Sequence, residues 1–365
     1  YGSIYAVGGG DGINVTIGGI ASDGGRCRIE GCVNYGSIVG NADSTGWAGA
    51  KGGNNVGGIV GNGSGEIVNC RNEGVVSGGK NIGGIAGNFN FISSASTVYD
   101  QVITGCVNNG TVTAREIAGG IVGDLGTDVL LENCANLGTV TVAQSYGGGI
   151  AGEADLRNTS STVNASKVGI YNCYTVGKVS TTDEEGVVGA VIGKLTGFDE
   201  SFGVAPAAFV GANCYLTGAA ENPVGETSRD PVTTCAALDE TAMKSADFVS
   251  TLNGFAPRSL ISVAWALDTG NQNGGYPAVS ATGVIKNSEC KMTSFKVGSA
   301  SLTIDQKNRP ACLLGPYTDD ITAIAPEIVT SYRATVSPAS GEAVDFSRGP
   351  VSYTVTAENG ETAVY

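Results

Sequence analysis

Histidine is absent from all 365 residues. Its absence removes the commonest general base, the Ser-His and Cys-His nucleophile pairs, and every His-ligated zinc site. Positive charge is scarce: 20 Lys and Arg stand against 34 Asp and Glu, a net charge of −14. Such a chain is poorly suited to nucleic acid, which demands clustered Lys and Arg, or to anionic membrane surfaces. No apolar run approaches the roughly 20 residues of a membrane span, so direct membrane insertion is not expected. The 10 cysteines include no Cys-x-x-Cys pair. No metal site or cofactor is expected from them. The chain opens on Tyr1 without a leader or anchor motif, and the expectation is a processed piece of a larger exported protein.

Glycine, at 58 residues, is abundant, and it punctuates a repeat. Aligned on cysteine, the copies include Ile29-Glu30-Gly31-Cys32-Val33-Asn34, Ile67-Val68-Asn69-Cys70-Arg71-Asn72 and Ile103-Thr104-Gly105-Cys106-Val107-Asn108. Leu131-Glu132-Asn133-Cys134-Ala135-Asn136 and Ile170-Tyr171-Asn172-Cys173-Tyr174-Thr175 follow, and Asn213-Cys214 marks a degraded last copy. Interleaved is a second motif: Gly57-Gly58-Ile59-Val60-Gly61, Gly83-Gly84-Ile85-Ala86-Gly87, Gly119-Gly120-Ile121-Val122-Gly123 and Gly148-Gly149-Ile150-Ala151-Gly152. Self-similarity of this kind is the signature of a solenoid.

Fixed apolar columns alternate with variable ones, as an inside alternates with an outside. The segments are short, β-branched and bounded by glycine, which makes them strands. Three strands per copy, Gly-Gly-Ile-Val-Gly, Ile-x-Asn-Cys and Gly-x-Val, predict a triangular coil. Stacked coils form parallel sheets about 4.8 Å apart, and parallel crossovers are right-handed. The fold expected is all-β: a right-handed parallel β-helix of about six coils over residues 1–220. Asn34, Asn72, Asn108 and Asn136 then form a turn ladder, and the glycine four residues after each cysteine is expected at positive φ.

Cys32, Cys70, Cys106, Cys134, Cys173 and Cys214 are expected as an inward column of free thiols, since stacked side chains point alike and suit a disulfide poorly. Outside that column, Cys290 and Cys312 form the most plausible bridge. The spacing between motifs varies mostly at one corner, through insertions at 88–101, 153–169 and 194–212, with one exception in the first coil at 41–55. Insertions on one face of a repeat array commonly make its binding face. Phe89, Phe91, Tyr99, Phe198 and Phe202 on these insertions are the candidate ligand-binding rings, with Phe209 nearby. The competing reading has the rings pin their loops to the solenoid.

After Gly218 the pattern breaks. Residues 221–286 read as a capping segment with one helix over 238–253, Thr241 as its N-cap and Gly254 following it. Residues 287–365 turn to alternating strands around 293–297, 301–305 and 351–356, the density of an Ig-like antiparallel β-sandwich.

The stretch Gly57-Gly58-Ile59-Val60-Gly61…Ile67-Val68-Asn69-Cys70-Arg71-Asn72-Glu73-Gly74-Val75-Val76 resembles the GLUG repeat of bacterial surface and adhesin-type proteins. Ala334-Thr335-Val336-Ser337-Pro338 and Val351-Ser352-Tyr353-Thr354-Val355-Thr356 are similar to cadherin-like or Ig-like modules of bacterial exported proteins. These resemblances imply an extracellular or cell-surface protein with no catalytic residues. The β-helix would serve as stalk and binding surface for a host or bacterial surface protein or glycan, and the chain is expected to be a monomer. Two alternatives remain: a polysaccharide-active β-helix enzyme, for which Asp183, Glu184 and Glu185 are the sequence candidates, or the non-catalytic region of a larger surface protease. The Asp183–Glu185 run also reads as a solvated turn. Asp319 and Asp320 raise calcium-dependent stiffening, without the spacing of an EF-hand.

Overall fold

The computed structural model describes residues 4–5, 16–40, 55–90, 101–157, 168–196, 210–227, 233–259, 261–285, 289–307, 320–331, 334–357 and 360–365. The chain divides into two units, Tyr1–Ser259 with Val263–Val284, and Leu260–Ser262 with Ile285–Tyr365.

In the first unit, strands from successive copies pair in parallel and in register. One sheet stacks Ile4–Tyr5, Ile38–Val39, Val76–Gly78, Val112–Ala114, Val140–Val142 and Val179–Thr181. A second stacks Thr16–Gly18, Asn55–Gly57, Asn81–Gly83, Ile117–Gly119, Tyr146–Gly148 and Val187–Gly189. A third, of 17 strands, holds the cysteine motifs and the segments before them. The chain visits the sheets in the same order each time, so equivalent residues of successive copies become hydrogen-bonded neighbours, as in Val76↔Val112↔Val140. Long parallel sheets built this way are consistent with a β-helix.

The glycine motif is a corner rather than a strand. Gly57 ends a strand of the second sheet, Gly58 and Ile59 turn, and Val60 begins the strand Val60–Val68 of the third. Beyond the corner the third sheet folds back on the second. A Cβ on Gly123 would lie 2.6 Å from the Ile82 amide nitrogen, and one on Gly87 2.4 Å from that of Val56. Gly61, Gly152 and Gly193 meet the second sheet in the same way. This seam admits no side chain. Two cores lie apart: one within the third sheet around Ile59, Ile85, Ile121 and the cysteines, the other around Val56, Ile82, Val76 and Val112. Each copy thus contributes to three parallel sheets, with shorter strands than the motifs predicted.

The asparagine column forms as expected. Each Nδ2 donates to the next Oδ1, Asn34 to Asn72 at 2.7 Å, Asn72 to Asn108 at 2.8 Å and Asn108 to Asn136 at 2.8 Å, before the row ends on Thr175. The glycine after each asparagine is needed for another reason than positive φ: a Cβ on Gly110 would sit 1.8 Å from the Gly74 carbonyl oxygen. Positive φ falls instead on the residue before the cysteine, at Gly31, Asn69, Gly105, Asn133 and Asn172. Glycine and asparagine tolerate that left-handed backbone best.

The thiol column also needs correction. Cys70, Cys106, Cys134 and Cys173 are buried and free, and Cys32 is half-buried at its start. Cys214 pairs with Tyr174, not with Cys173. Asn213 stands beside Cys173, and Cys235 follows Asn213. Ala212, with φ of 54°, occupies the left-handed position before it. Cys214 instead faces outward into a separate apolar cluster with Tyr174 and Phe248.

Parallel pairing does not stop near Gly218. Val224–Thr227 and Thr233–Leu238 extend the third sheet. The single helix expected over 238–253 is two: α1 at Glu240–Met243, capped by Asp239, and α2 at Ala246–Asn253, capped by Ser245. Ser245 interrupts the run because its hydroxyl accepts from the Phe248 amide, a bond that starts a helix rather than continues one. Gly254 keeps a right-handed φ of −74°.

Residues 239–259 and 263–279 lie along the flank of the coils as a strap. Met243, Phe248, Leu252, Trp265 and Tyr276 bury against Val107, Ala135, Tyr174 and Cys214, outward residues of successive coils. Polar contacts follow the same line. Arg71 donates to Asn273 Oδ1 and the Gln272 carbonyl, each at 2.8 Å, and Asn172 to the Leu252 carbonyl at 3.0 Å. The buried carboxylate of Glu132 accepts from the Arg258 amide at 2.9 Å and the Ser259 amide at 3.1 Å, and from the Ser259 hydroxyl.

Among its described residues the second unit carries two small antiparallel sheets. Met292–Val297 pairs with Ala300–Ser301 and Glu327–Thr330, while Thr354–Thr356 pairs with Thr335–Ser337 and Thr362–Val364. Met292, Phe295, Ile328, Tyr353 and Val355 form their shared core. Cys290 is a free, half-buried thiol rather than half of the expected bridge, and Cys312 lies outside the described residues.

Candidate functional site

Two rows of side chains run side by side where the second and third sheets meet. The residue after each seam glycine gives one row: Asn62, Asn88, Asp124, Glu153, Lys194 and Glu226, in register across adjacent strands. The first residue of each second-sheet strand gives the other: Thr16, Asn55, Asn81, Ile117, Tyr146 and Val187. Alternation explains the second row. Val56 and Ile82, at the middle of their strands, point into a core, so their neighbours point away from it. The close approach of Gly123 to Asn81 and Ile82, and of Gly87 to Asn55 and Val56, brings the rows together.

Contacts within and between the rows are polar. Asn81 Nδ2 donates to Asn55 Oδ1 at 3.0 Å, and Asn88 Nδ2 to Asp124 Oδ2 at 3.0 Å. Lys194 donates to the Tyr146 hydroxyl at 3.1 Å and lies 4.4 Å from the centre of its ring. The lysine also sits 3.9 Å from Glu153 and 3.7 Å from Glu226. Asn81 is 5% exposed, and its Oδ1 has no hydrogen-bond partner.

The electrostatics follow from this half-buried setting. Burial raises the carboxyl of Asp124 above the ordinary carboxylate range, against the opposing pull of the Asn88 amide and Lys80. Burial also raises Glu153, reinforced by the charge of Asp124 one coil away. Lys194 is raised by its bond to Tyr146, with Glu153 and Glu226 adding to the effect.

The sequence candidates fare differently. Phe89 is fully buried in a core, its ring over Gly63 of the coil before, so it offers no surface for a ligand. That burial matches the reading in which the ring pins its loop. Phe91, Tyr99, Phe198, Phe202 and Phe209 lie outside the described residues. Asp183, Glu184 and Glu185 form an exposed turn in which the Thr181 hydroxyl donates to the Asp183 carbonyl at 2.7 Å. Asp319 lies outside the described residues, and Asp320 accepts from the amide and hydroxyl of Thr322. The double row went unnoticed in the sequence, although its signal was present. Every residue that follows the glycine motif is polar: Asn62, Asn88, Asp124, Glu153 and Lys194.

A family described as SGBP, N-terminal, matches residues 292–365. Over that stretch the chain is similar to the amino-terminal domain of surface glycan-binding proteins, a bacterial surface family. The matched stretch lies within the second unit and does not include the repeat. No curated protein and no solved structure matches the chain. Among the described residues, no helix is long and apolar enough to cross a membrane.

Proposed function

We propose that this chain is a non-catalytic glycan-binding protein of the bacterial cell surface. In this reading the coils form a right-handed parallel β-helix of the GLUG type, which serves as stalk and binding surface in the manner of an adhesin. The Ig-like C-terminal unit is the module that ties the chain to surface glycan capture. The observation that carries the reading is the match of residues 292–365 to the surface glycan-binding family. The absence of histidine accords with a binding role, since it removes the commonest general base and the nucleophile pairs built on it.

One observation favours a second reading, a polysaccharide-active enzyme. Asp124 and Glu153 lie on adjacent strands, and both carboxyls are raised. Paired carboxyls with shifted proton affinities are the working parts of glycoside hydrolysis. A single experiment separates the two. The chain is run through gels containing soluble polysaccharides, while the same polysaccharides are assayed for new reducing ends and unsaturated products. Retardation without cleavage supports the binding reading. Cleavage that disappears in Glu153→Gln replaces it with the enzyme.

A further inference from the structure

We propose that the double row around Asn81, Asp124, Glu153 and Lys194 is a subsite for an uncharged, hydroxyl-rich polysaccharide lying lengthwise across the coils. The proposal rests on the surface glycan-binding reading and adds to it a place and a ligand class.

Asn81 is the first reason. Its Nδ2 is committed to Asn55, while Oδ1, on a side chain 5% exposed, has no partner. The next residue in the row is Ile117, whose side chain has no donor to offer. A buried acceptor left open is rare in folded proteins. A hydroxyl group is the kind of donor it lacks.

The neighbouring groups suit the same chemistry. Asp124 and Glu153 present carboxyl oxygens one strand apart, about 4.8 Å, and sugar hydroxyls are good donors to them. Successive coils thus offer polar groups at a spacing close to the length of one sugar ring. Charge then narrows the class. The cation of Lys194 is already held among Tyr146, Glu153 and Glu226. With Asp124, Glu153 and Glu226 all acidic, the row repels uronates and sulfated chains.

The test uses the full chain. Binding is measured by affinity electrophoresis and calorimetry against neutral polysaccharides (mixed-linkage β-glucan, xyloglucan, mannan) and anionic ones (polygalacturonate, chondroitin sulfate). The expected result is retention by at least one neutral polymer and none of the anionic ones. Asn81→Ile, which copies the residue of the next coil, and Glu153→Gln should each weaken it at least tenfold. Asp124→Asn, which keeps an acceptor for Asn88, provides a second variant should Asn81→Ile melt early, and Asp183→Asn in the exposed turn should bind as the parent. Neutral-polymer binding unchanged in Asn81→Ile, Glu153→Gln and Asp124→Asn alike overturns the site while leaving glycan binding intact. Preference for the anionic polymers overturns the ligand class. Failure to bind any polymer overturns the proposal together with the reading beneath it.

Discussion

Asn213 takes the place of a cysteine beside Cys173. Its Oδ1 accepts from the Cys173 amide at 2.9 Å, and its Nδ2 donates to the Ile170 carbonyl at 3.0 Å. Elsewhere in the column a thiol does both: Cys106 Sγ accepts from the Cys70 amide at 3.5 Å and donates to the Ile67 carbonyl at 3.6 Å. The amide therefore reproduces a thiol's bonding pattern within the same row. Asn213→Cys should change unfolding stability by less than about 1 kcal/mol, because the pattern survives. Asn213→Leu leaves the Cys173 amide and Ile170 carbonyl unpaired and should cost about 1–3 kcal/mol. Urea denaturation followed by circular dichroism measures both, and equal losses would refute the equivalence.

The thiols should divide by depth. Burial holds Cys106 and Cys134 well above ordinary thiol values, and Cys70 is raised by its bond with Cys106 and by burial. Cys235, pushed up to about 12, is half-buried, as are Cys27, Cys32 and Cys290. Iodoacetamide at pH 8 should label the half-buried group slowly and leave Cys70, Cys106, Cys134 and Cys173 untouched until the chain unfolds. Peptide mass spectrometry reads the order of modification. Early labelling of Cys106 or Cys134 would contradict a dry column.

Asp124 and Glu153 make stability depend on pH with a defined sign. Both carboxyls are raised by burial, so the folded state holds their protons more tightly than the unfolded chain. Their contribution is complete below the ordinary carboxylate range, about pH 4, and is lost as pH rises through the raised values. Asp124→Asn should flatten the melting curve's dependence on pH between pH 4 and pH 7 and raise the neutral melting temperature by about 2–4 °C. A steeper dependence in the variant would reverse the assignment.

Phe89 and Gly123 test the packing. Phe89→Ala should cost about 3–5 kcal/mol through the cavity it leaves. Gly123→Ala forces a methyl to 2.6 Å from both the Ile82 nitrogen and the Gly87 oxygen, so it should sharply reduce soluble yield. Comparing soluble expression and urea midpoints of both variants checks whether the seam is as closed as its distances imply.

The stacking was legible because glycine, cysteine and asparagine recur in columns, and columns are what parallel register preserves. The asparagine row could be written down from Asn34, Asn72, Asn108 and Asn136 alone. Three things were hidden for identifiable reasons. The corner at Gly58 and Ile59 looks apolar enough for a strand, and only the backbone reveals the turn. Alignment on Cys214 missed a one-residue register shift because Asn213 before it fits the Gly or Asn found before every other cysteine of the motif, and only the backbone puts Ala212, with φ of 54°, in that place. The strap was read as closing an end because helix propensity says nothing about which surface a helix meets. The row after the seam glycines is hidden because Asn62, Asn88, Asp124, Glu153 and Lys194 share polarity but not identity or charge, and the other row mixes Asn55 and Asn81 with Ile117 and Val187.

The strap changes how the array should come apart. Isolated repeats unzip one neighbour at a time, since each touches only the next. Here one segment is fastened to Arg71, Glu132, Asn172 and Tyr174 in turn. No middle rung can loosen without tugging on a brace that others also hold. Mechanical pulling should then meet one shared breaking point across those rungs, not a staircase of small ones.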